Sequence, residues 1–257
     1  MNEYQGKIDE DVIKLIVEKV VSNCPGKTIG ELSPLIGRVI SRLLNKRSLE
    51  EKRKDIVKVG KHFYCQGFLA GTSGNISVRV GENALLITPS GINKGIMVPE
   101  DILLVDLQGN LLEQSHHKPS SEMKMHLVSY MERPDVSAIV HAHPPFSMGF
   151  ATARLPLDMP VLPEAILVLG DIPLVEYGTP STREVSDNLR PYLKGHNAFL
   201  LESHGSLTFG ANLDKAAHRM ETLELYAKVI LIARMLGGEK LLSDGDLRRL
   251  KRTFECK

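Results

Sequence analysis

His141-Ala142-His143 closes the apolar run Val136-Ser137-Ala138-Ile139-Val140 and is followed by Pro144-Pro145, so it reads as a strand ending in two imidazoles. Side chains two apart on a strand share a face, which lets both rings grip one metal ion. A third imidazole stands at His204, where Ala198-Phe199-Leu200-Leu201 runs into Glu202-Ser203-His204-Gly205, again at a strand end. Three histidines with one coordination position open form the ligand set of a catalytic zinc centre. Taken singly, each histidine is more simply a satisfied structural residue, and His-x-His alone is a weak motif. Two strand ends together with a carboxylate at Glu122 carry the metal reading.

Glu122 directly follows Ser120-Ser121 at a helix start, Pro119-Ser120-Ser121-Glu122, from which a carboxylate can reach both a metal and a bound substrate. His126 lies four residues on and shares its helix face, as a core or supporting histidine rather than a ligand. Gly71-Thr72-Ser73-Gly74-Asn75, Thr88-Pro89-Ser90-Gly91 and Ser120-Ser121 are rich in small and hydroxyl residues. Backbone N–H groups in such segments can cradle a phosphate monoester, and the helix N-terminus after Ser121 also favours an anion. Each segment alone is an ordinary turn. His116 and His117 fall in a polar loop and are expected to face solvent. No lysine-bearing phosphate loop, His-Glu-x-x-His helix or paired-cysteine deaminase pattern occurs.

Strands and helices must alternate to place these groups. Asn75–Val80 and Ala84–Thr88 flank Gly81-Glu82-Asn83 as a hairpin, and Ile102–Asp106 and Ile172–Val175 read as further strands. Met123–Met131 reads as a helix, Ser181-Thr182-Arg183-Glu184 as a capping box, and Asn212–Leu236 as a long helix stopped by Gly237-Gly238. The pattern predicts an α/β fold, a three-layer sandwich with a mixed, mainly antiparallel central sheet flanked by helices. Residues 1–47 form a separate N-terminal helical extension. In it, Asp11–Val21 carries Val12, Ile13, Ile16, Val17 and Val20 at helical spacing, a breaker follows at Asn23-Cys24-Pro25-Gly26-Lys27, and a second helix starts at Ser33 with Pro34 in its first turn. Ser48-Leu49-Glu50-Glu51 has the form of a capping box and opens the main domain, 48–257.

With 257 residues, 42% hydrophobic and 25% charged, the chain is long enough for one large α/β domain, and its net charge of +1 leaves no electrostatic footprint for nucleic acid or an anionic membrane. Cys24, Cys65 and Cys256 are odd in number and far apart, which argues for a reducing compartment and against a thiolate zinc site. No apolar run is long enough to span a bilayer, and Met1-Asn2-Glu3 lacks the basic start of a secretory signal, so a cytoplasmic location is expected.

Five segments, in order, resemble the class II aldolase/adducin family, and within it the zinc-dependent L-fuculose-phosphate aldolases. They are Gly71–Arg79, Thr88-Pro89-Ser90-Gly91, Lys118-Pro119-Ser120-Ser121-Glu122, Val140-His141-Ala142-His143 and Leu201-Glu202-Ser203-His204-Gly205. The resemblance runs from about residue 48 to the C-terminus. It implies one Zn2+ per subunit held by His141, His143 and His204, with Glu122 a ligand that becomes the acid/base when substrate displaces it. It implies a sugar-phosphate substrate whose phosphate sits among Gly74, Asn75, Ser90, Gly91, Ser120 and Ser121, and a homotetramer with sites between subunits. Cleavage of L-fuculose 1-phosphate or L-rhamnulose 1-phosphate would yield dihydroxyacetone phosphate and lactaldehyde.

Two departures stand out. Where those aldolases carry a tyrosine that helps proton transfer, this chain reads Leu162-Pro163-Glu164-Ala165, making Glu164 the candidate proton donor, and little chain follows Phe254. Pentulose-phosphate 4-epimerases of the family have Asp where Glu122 stands, which leans this chain to aldolase. A methylthioribulose-phosphate dehydratase, a 5-deoxypentulose-phosphate aldolase and a non-catalytic adducin-like interaction protein remain alternatives. Residues 8–22 resemble peptides that send enzymes into bacterial microcompartments, implying a shell-protein partner.

Overall fold

The computed structural model describes residues 10–255, without the side chains of 10–12, 29, 41–47 and 255. Residues 8 and 9 of the expected targeting peptide, and Cys256, lie outside the described residues. The chain divides into two compact units, 1–54 and 55–257.

The first unit holds α1 (Glu10–Ser22) and most of α2 (Ile29–Cys65). The expected helix near residues 11–21 is present, but the next two expected helices are one. α2 starts at Ile29 rather than Ser33, because Thr28 and Glu31 form a reciprocal cap: Glu31 accepts from Thr28 N at 2.8 Å, and Thr28 Oγ1 accepts from Glu31 N at 3.4 Å. Pro34 therefore lies inside the helix, where it forgoes one helical hydrogen bond. Ser48 caps nothing. From Arg38 to Val59 there is neither glycine nor proline, so nothing in the chain stops the helix there, and it runs on through the expected boundary at 47/48.

The second unit is built on a seven-stranded sheet ordered β3-β2-β1-β4-β7-β6-β5. Its strands are β1 (Asn75–Arg79), β2 (Ala84–Ile87), β3 (Leu103–Asp106), β4 (Ala138–Ala142), β5 (Leu174–Val175), β6 (Ala198–Leu201) and β7 (Gly205–Gly210). Every pairing is antiparallel except β5 with β6, as the interleaved pattern predicts. The helices are α3 (Met123–Glu132), α4 (Pro145–Ala153), α5 (Pro163–Leu169), α6 (Arg183–Leu189), α7 (Leu213–Met235) and α8 (Asp244–Glu255).

Alternation along the strands separates two cores. Phe199 and Leu201 join Leu207 and Phe209 in a cluster with Met125, Leu127 and Tyr130 of α3 and Val185 and Leu189 of α6. Ala198 and Leu200 face the other way, onto Phe150 of α4, Ala165 and Leu169 of α5, and Leu223, Ala227 and Ile230 of α7. Helices on both faces of one sheet make the three layers.

In the middle of the sheet, β1 begins, β4 ends and β7 begins at the same edge. Asn75 is registered with His141, and Ala142 with Ser206. That edge collects the chemically capable residues.

Candidate active site

His141 is the penultimate residue of β4 and fully buried, His143 lies one residue beyond the strand, and His204 sits in the tight turn between β6 and β7. Ser203, with φ 53°, holds the left-handed conformation that swings the chain into His204. Gly205 follows, and a β-carbon there would lie 2.6 Å from both Ala142 O and His143 Cδ2. Gly74 has φ +68°, and its β-carbon would lie 2.7 Å from His141 O. Both glycines let neighbouring backbone close on the histidines.

The three rings pack together, with centroids 4.7 to 5.4 Å apart. His141 Nδ1 donates to Ser206 O at 3.0 Å, which leaves its Nε2 with a lone pair facing the centre. His143 Nε2 lies 3.1 Å from that atom. Two nitrogens on one tetrahedral zinc stand about 3.3 Å apart at the usual Zn–N distance. Glu122, the N-cap of α3, faces the same point: Oε1 lies 2.9 Å from His204 Nε2 and Oε2 3.4 Å from His141 Nε2. Glu122 Oε1 and His204 Nδ1 are buried without a hydrogen bond. An orphaned carboxylate oxygen beside converging imidazoles fits a cation, and His141, His143 and His204 form a triad able to hold a metal ion.

The strand end bearing His141 and His143 is anchored from behind. Buried Glu224 of α7 accepts from Phe146 N and Ser147 N, both at 2.8 Å, and so caps the N-terminus of α4 just after His143-Pro144. Ser206 Oγ donates to Ser147 Oγ at 3.0 Å, joining β7 to the same point.

Burial dominates the electrostatics. It pushes His141 well below the ordinary imidazole range, lowers His143, and lowers His126 to about 4. Burial would raise Glu122, but His141, His204 and His143 together outweigh it and hold the carboxyl far below the usual range. Glu122 is thus held as an anion, while burial favours the neutral, lone-pair-bearing forms of His141 and His143 that metal binding requires.

The three anion-friendly segments meet at this edge. Ser90 N donates to Lys118 O at 2.9 Å, which ties the Ser90-Gly91 turn to the segment leading into Ser120-Ser121. Lys94 Nζ donates to Thr72 O at 2.8 Å and ties the segment just after that turn to the Gly71–Asn75 loop. Ser90, Gly91 and Ser121 are exposed, while Gly74, Asn75 and Ser120 are buried. The Asn75 side chain is occupied elsewhere: its Nδ2 donates to Glu122 Oε2 at 2.9 Å. Lys94, 1% exposed, is a site residue that the sequence did not single out. Burial lowers it to about 8, opposed by Glu122. Its signal was a lone charge shortly after Thr88-Pro89-Ser90-Gly91 in a stretch that includes Ile92, Ile96 and Met97.

Glu164 stands exposed in the first turn of α5, and among the described residues no hydrogen bond or ion pair links it to the cluster. His116 is exposed as expected, whereas His117 is part-buried and lies 3.1 Å from Asp101.

Residues 54–231 match the class II aldolase and adducin N-terminal domain. A 5-deoxy-D-ribulose 1-phosphate aldolase of Bacillus thuringiensis serovar kurstaki is 32% identical over 80% of this chain and 97% of its own length. A 3-oxo-tetronate 4-phosphate decarboxylase of Pectobacterium atrosepticum is 34% identical over 76% of this chain and 88% of its own. Among solved structures, an L-fuculose 1-phosphate aldolase superposes with a TM-score of 0.71 at 33% identity, covering 79% of this chain and 95% of that one. With a family match over most of the chain and a histidine-carboxylate cluster gathered at one edge of its central sheet, the chain belongs to the class II aldolase and adducin family.

Proposed function

We propose that this enzyme is a zinc-dependent aldolase that cleaves a deoxyketose 1-phosphate, such as L-fuculose 1-phosphate or L-rhamnulose 1-phosphate, into dihydroxyacetone phosphate and an aldehyde such as lactaldehyde. One observation carries the reading: the Glu122 carboxylate stands against the Nε2 atoms of His141 and His204, with His143 beside them. His141, His143 and His204 would hold the zinc ion, with Glu122 at its edge. The ion would supply Lewis-acid stabilisation of the oxygens that gain negative charge as the C3–C4 bond breaks.

The protein's own groups do the rest. The C4 hydroxyl gives its proton to the Glu122 carboxylate as the C3–C4 electron pair passes into the enediolate of the three-carbon fragment and C4 becomes the aldehyde carbonyl, and Glu122 then returns that proton to C3 to complete dihydroxyacetone phosphate. Glu122 is ionised at neutral pH, so it enters the site as ligand or base and can donate only after taking up a proton there. The N–H groups around Gly74, Ser90, Gly91, Ser120 and Ser121, with the Lys94 charge behind them, bind the phosphate. Glu164 serves as proton donor only from a neighbouring subunit, since it is exposed in its own.

We place the enzyme in a homotetramer. Exposed Leu231, Ile232, Met235 and Leu236 at the end of α7 support that assembly, and sedimentation equilibrium checks it. We assign α1, with Leu15 exposed, to docking on a microcompartment shell protein.

A second reading, decarboxylation of a 3-oxo acid phosphate, has the relative at 34% identity in its favour and needs the same enediolate stabilisation. The deciding experiment measures dihydroxyacetone phosphate release from L-fuculose, L-rhamnulose and 5-deoxyribulose 1-phosphates, and CO2 release from 3-oxo-tetronate 4-phosphate, with chelation and zinc add-back. Zinc-dependent triose release is expected. CO2 release alone moves the assignment to the decarboxylase, and neither product moves it to the epimerase or dehydratase branch.

A further inference from the structure

Behind Glu122 runs a line of polar side chains with almost no exposure to solvent. Asn75, Ser77, His126 and Tyr130 are each 1% exposed or less. They come from two elements whose periodicities mesh. Asn75 and Ser77 are two apart on β1, and Glu122, His126 and Tyr130 are four apart on α3, so each set faces the other. Asn75 Nδ2 donates to Glu122 Oε2 at 2.9 Å, and Asn75 Oδ1 lies 2.5 Å from His126 Nε2. His126 Nδ1 lies 2.6 Å from Ser77 Oγ, which lies 2.9 Å from Tyr130 OH.

The direction of every bond follows from the last. An ionised carboxylate only accepts, so the amide nitrogen of Asn75 must face Glu122, and its oxygen must face His126. His126 therefore carries its proton on Nε2 and presents a lone pair at Nδ1, so Ser77 donates to Nδ1 and accepts from Tyr130. Each buried donor finds one acceptor, and reversing any bond would set two donors or two acceptors face to face.

We propose that His126 is a positioning residue for the acid/base carboxylate: through Asn75, the buried chain from Tyr130 fixes the Glu122 oxygens against the histidine triad. Burial keeps His126 neutral at physiological pH, as the bond order needs. The inference deepens the aldolase reading and rests on it only for its kinetic readout.

Two substitutions of similar polarity separate positioning from packing. In His126→Gln the amide nitrogen falls where Nε2 stood and still donates to Asn75. In His126→Asn the shorter side chain reaches Ser77 but not Asn75. Zinc affinity, measured by competition with a chromophoric chelator, is expected to be at least tenfold weaker in the Asn variant than in the Gln variant, and its turnover at least tenfold lower, with KM within threefold. Equal zinc affinity and equal turnover in the two variants at equal folded fraction would overturn the proposal. Should the Asn variant not fold, 15N NMR of the wild-type imidazole decides. The Nε2–H tautomer at pH 7 supports the chain, and the Nδ1–H tautomer or an imidazolium refutes it. If wild type cleaves none of the sugar phosphates, the proposed reaction falls, while the zinc contrast and the tautomer still test His126.

Discussion

At Gly205 a β-carbon would meet Ala142 O and His143 Cδ2, each at 2.6 Å, and His141 Cε1 at 3.3 Å. None of these is the free end of a flexible chain, so a methyl group must push β4 and β7 apart or rotate two of the three imidazoles. Gly205→Ala is therefore expected to cost about 1–3 kcal/mol of stability and at least tenfold in zinc affinity. Gly149→Ala in α4 is the control. No atom lies within 4 Å of its β-carbon, and it should gain about 0.5–1 kcal/mol without touching the zinc titration. Wild-type zinc affinity in Gly205→Ala would sink the argument. The imidazoles and Glu122 were legible in the sequence, because His-x-His at a strand end and Ser-Ser-Glu at a helix start are patterns with a mechanism. Lys94 and Gly205 were not, since their importance lies in what the fold brings near them. The commitment of Asn75 to Glu122 and His126 was hidden for the same reason.

Among elements, β4, α6 and α7 were legible because local signals agree with the tertiary structure: Thr182 Oγ1 accepts from Glu184 N, and Asn212 Oδ1 from Lys215 N. β7 was hidden, although it pairs with both β4 and β6. Its Ser206 and Thr208 look like a solvent face, yet both are fully buried, Thr208 donating to Ala216 O and Ser206 to Ser147. α2 misled in the opposite way, since Ser48-x-x-Glu51 has the form of a cap but lies mid-helix. α1 poses the question of use. Its 13 residues carry Val and Ile at helical spacing and are too few for a stable isolated helix, so it needs a partner surface to order its apolar stripe. Removing residues 1–25 is expected to leave zinc affinity and sugar-phosphate cleavage within twofold, while abolishing co-sedimentation with microcompartment shell protein. Unchanged co-sedimentation would remove the docking assignment and make α1 a packing helix.

For the whole molecule, burial at the site acts with one sign on its bases, pushing His126, His141, His143 and Lys94 toward their neutral forms. An unfolded chain takes up protons on its histidines as pH falls through about 6.5. Folded His126 refuses its proton until about pH 4, and His141 and His143 titrate below their ordinary value as well. Between those limits the unfolded state binds more protons, so stability must fall as pH falls through that window. For His126 alone the ceiling is about 3 kcal/mol. A metal ion held by the triad would sharpen the dependence, because protons would compete with it for the same imidazole lone pairs. The urea midpoint of the metal-free chain is thus expected to be nearly level from pH 7.5 to 6.5 and to decline steadily toward pH 4. His126→Gln should flatten that decline by the share of one proton, and the zinc-loaded chain should show a steeper one. A midpoint that held level or rose on acidification would mean that the rings are charged in the fold. A cluster of charged rings could not present the lone pairs on which a metal centre at His141, His143 and His204 depends.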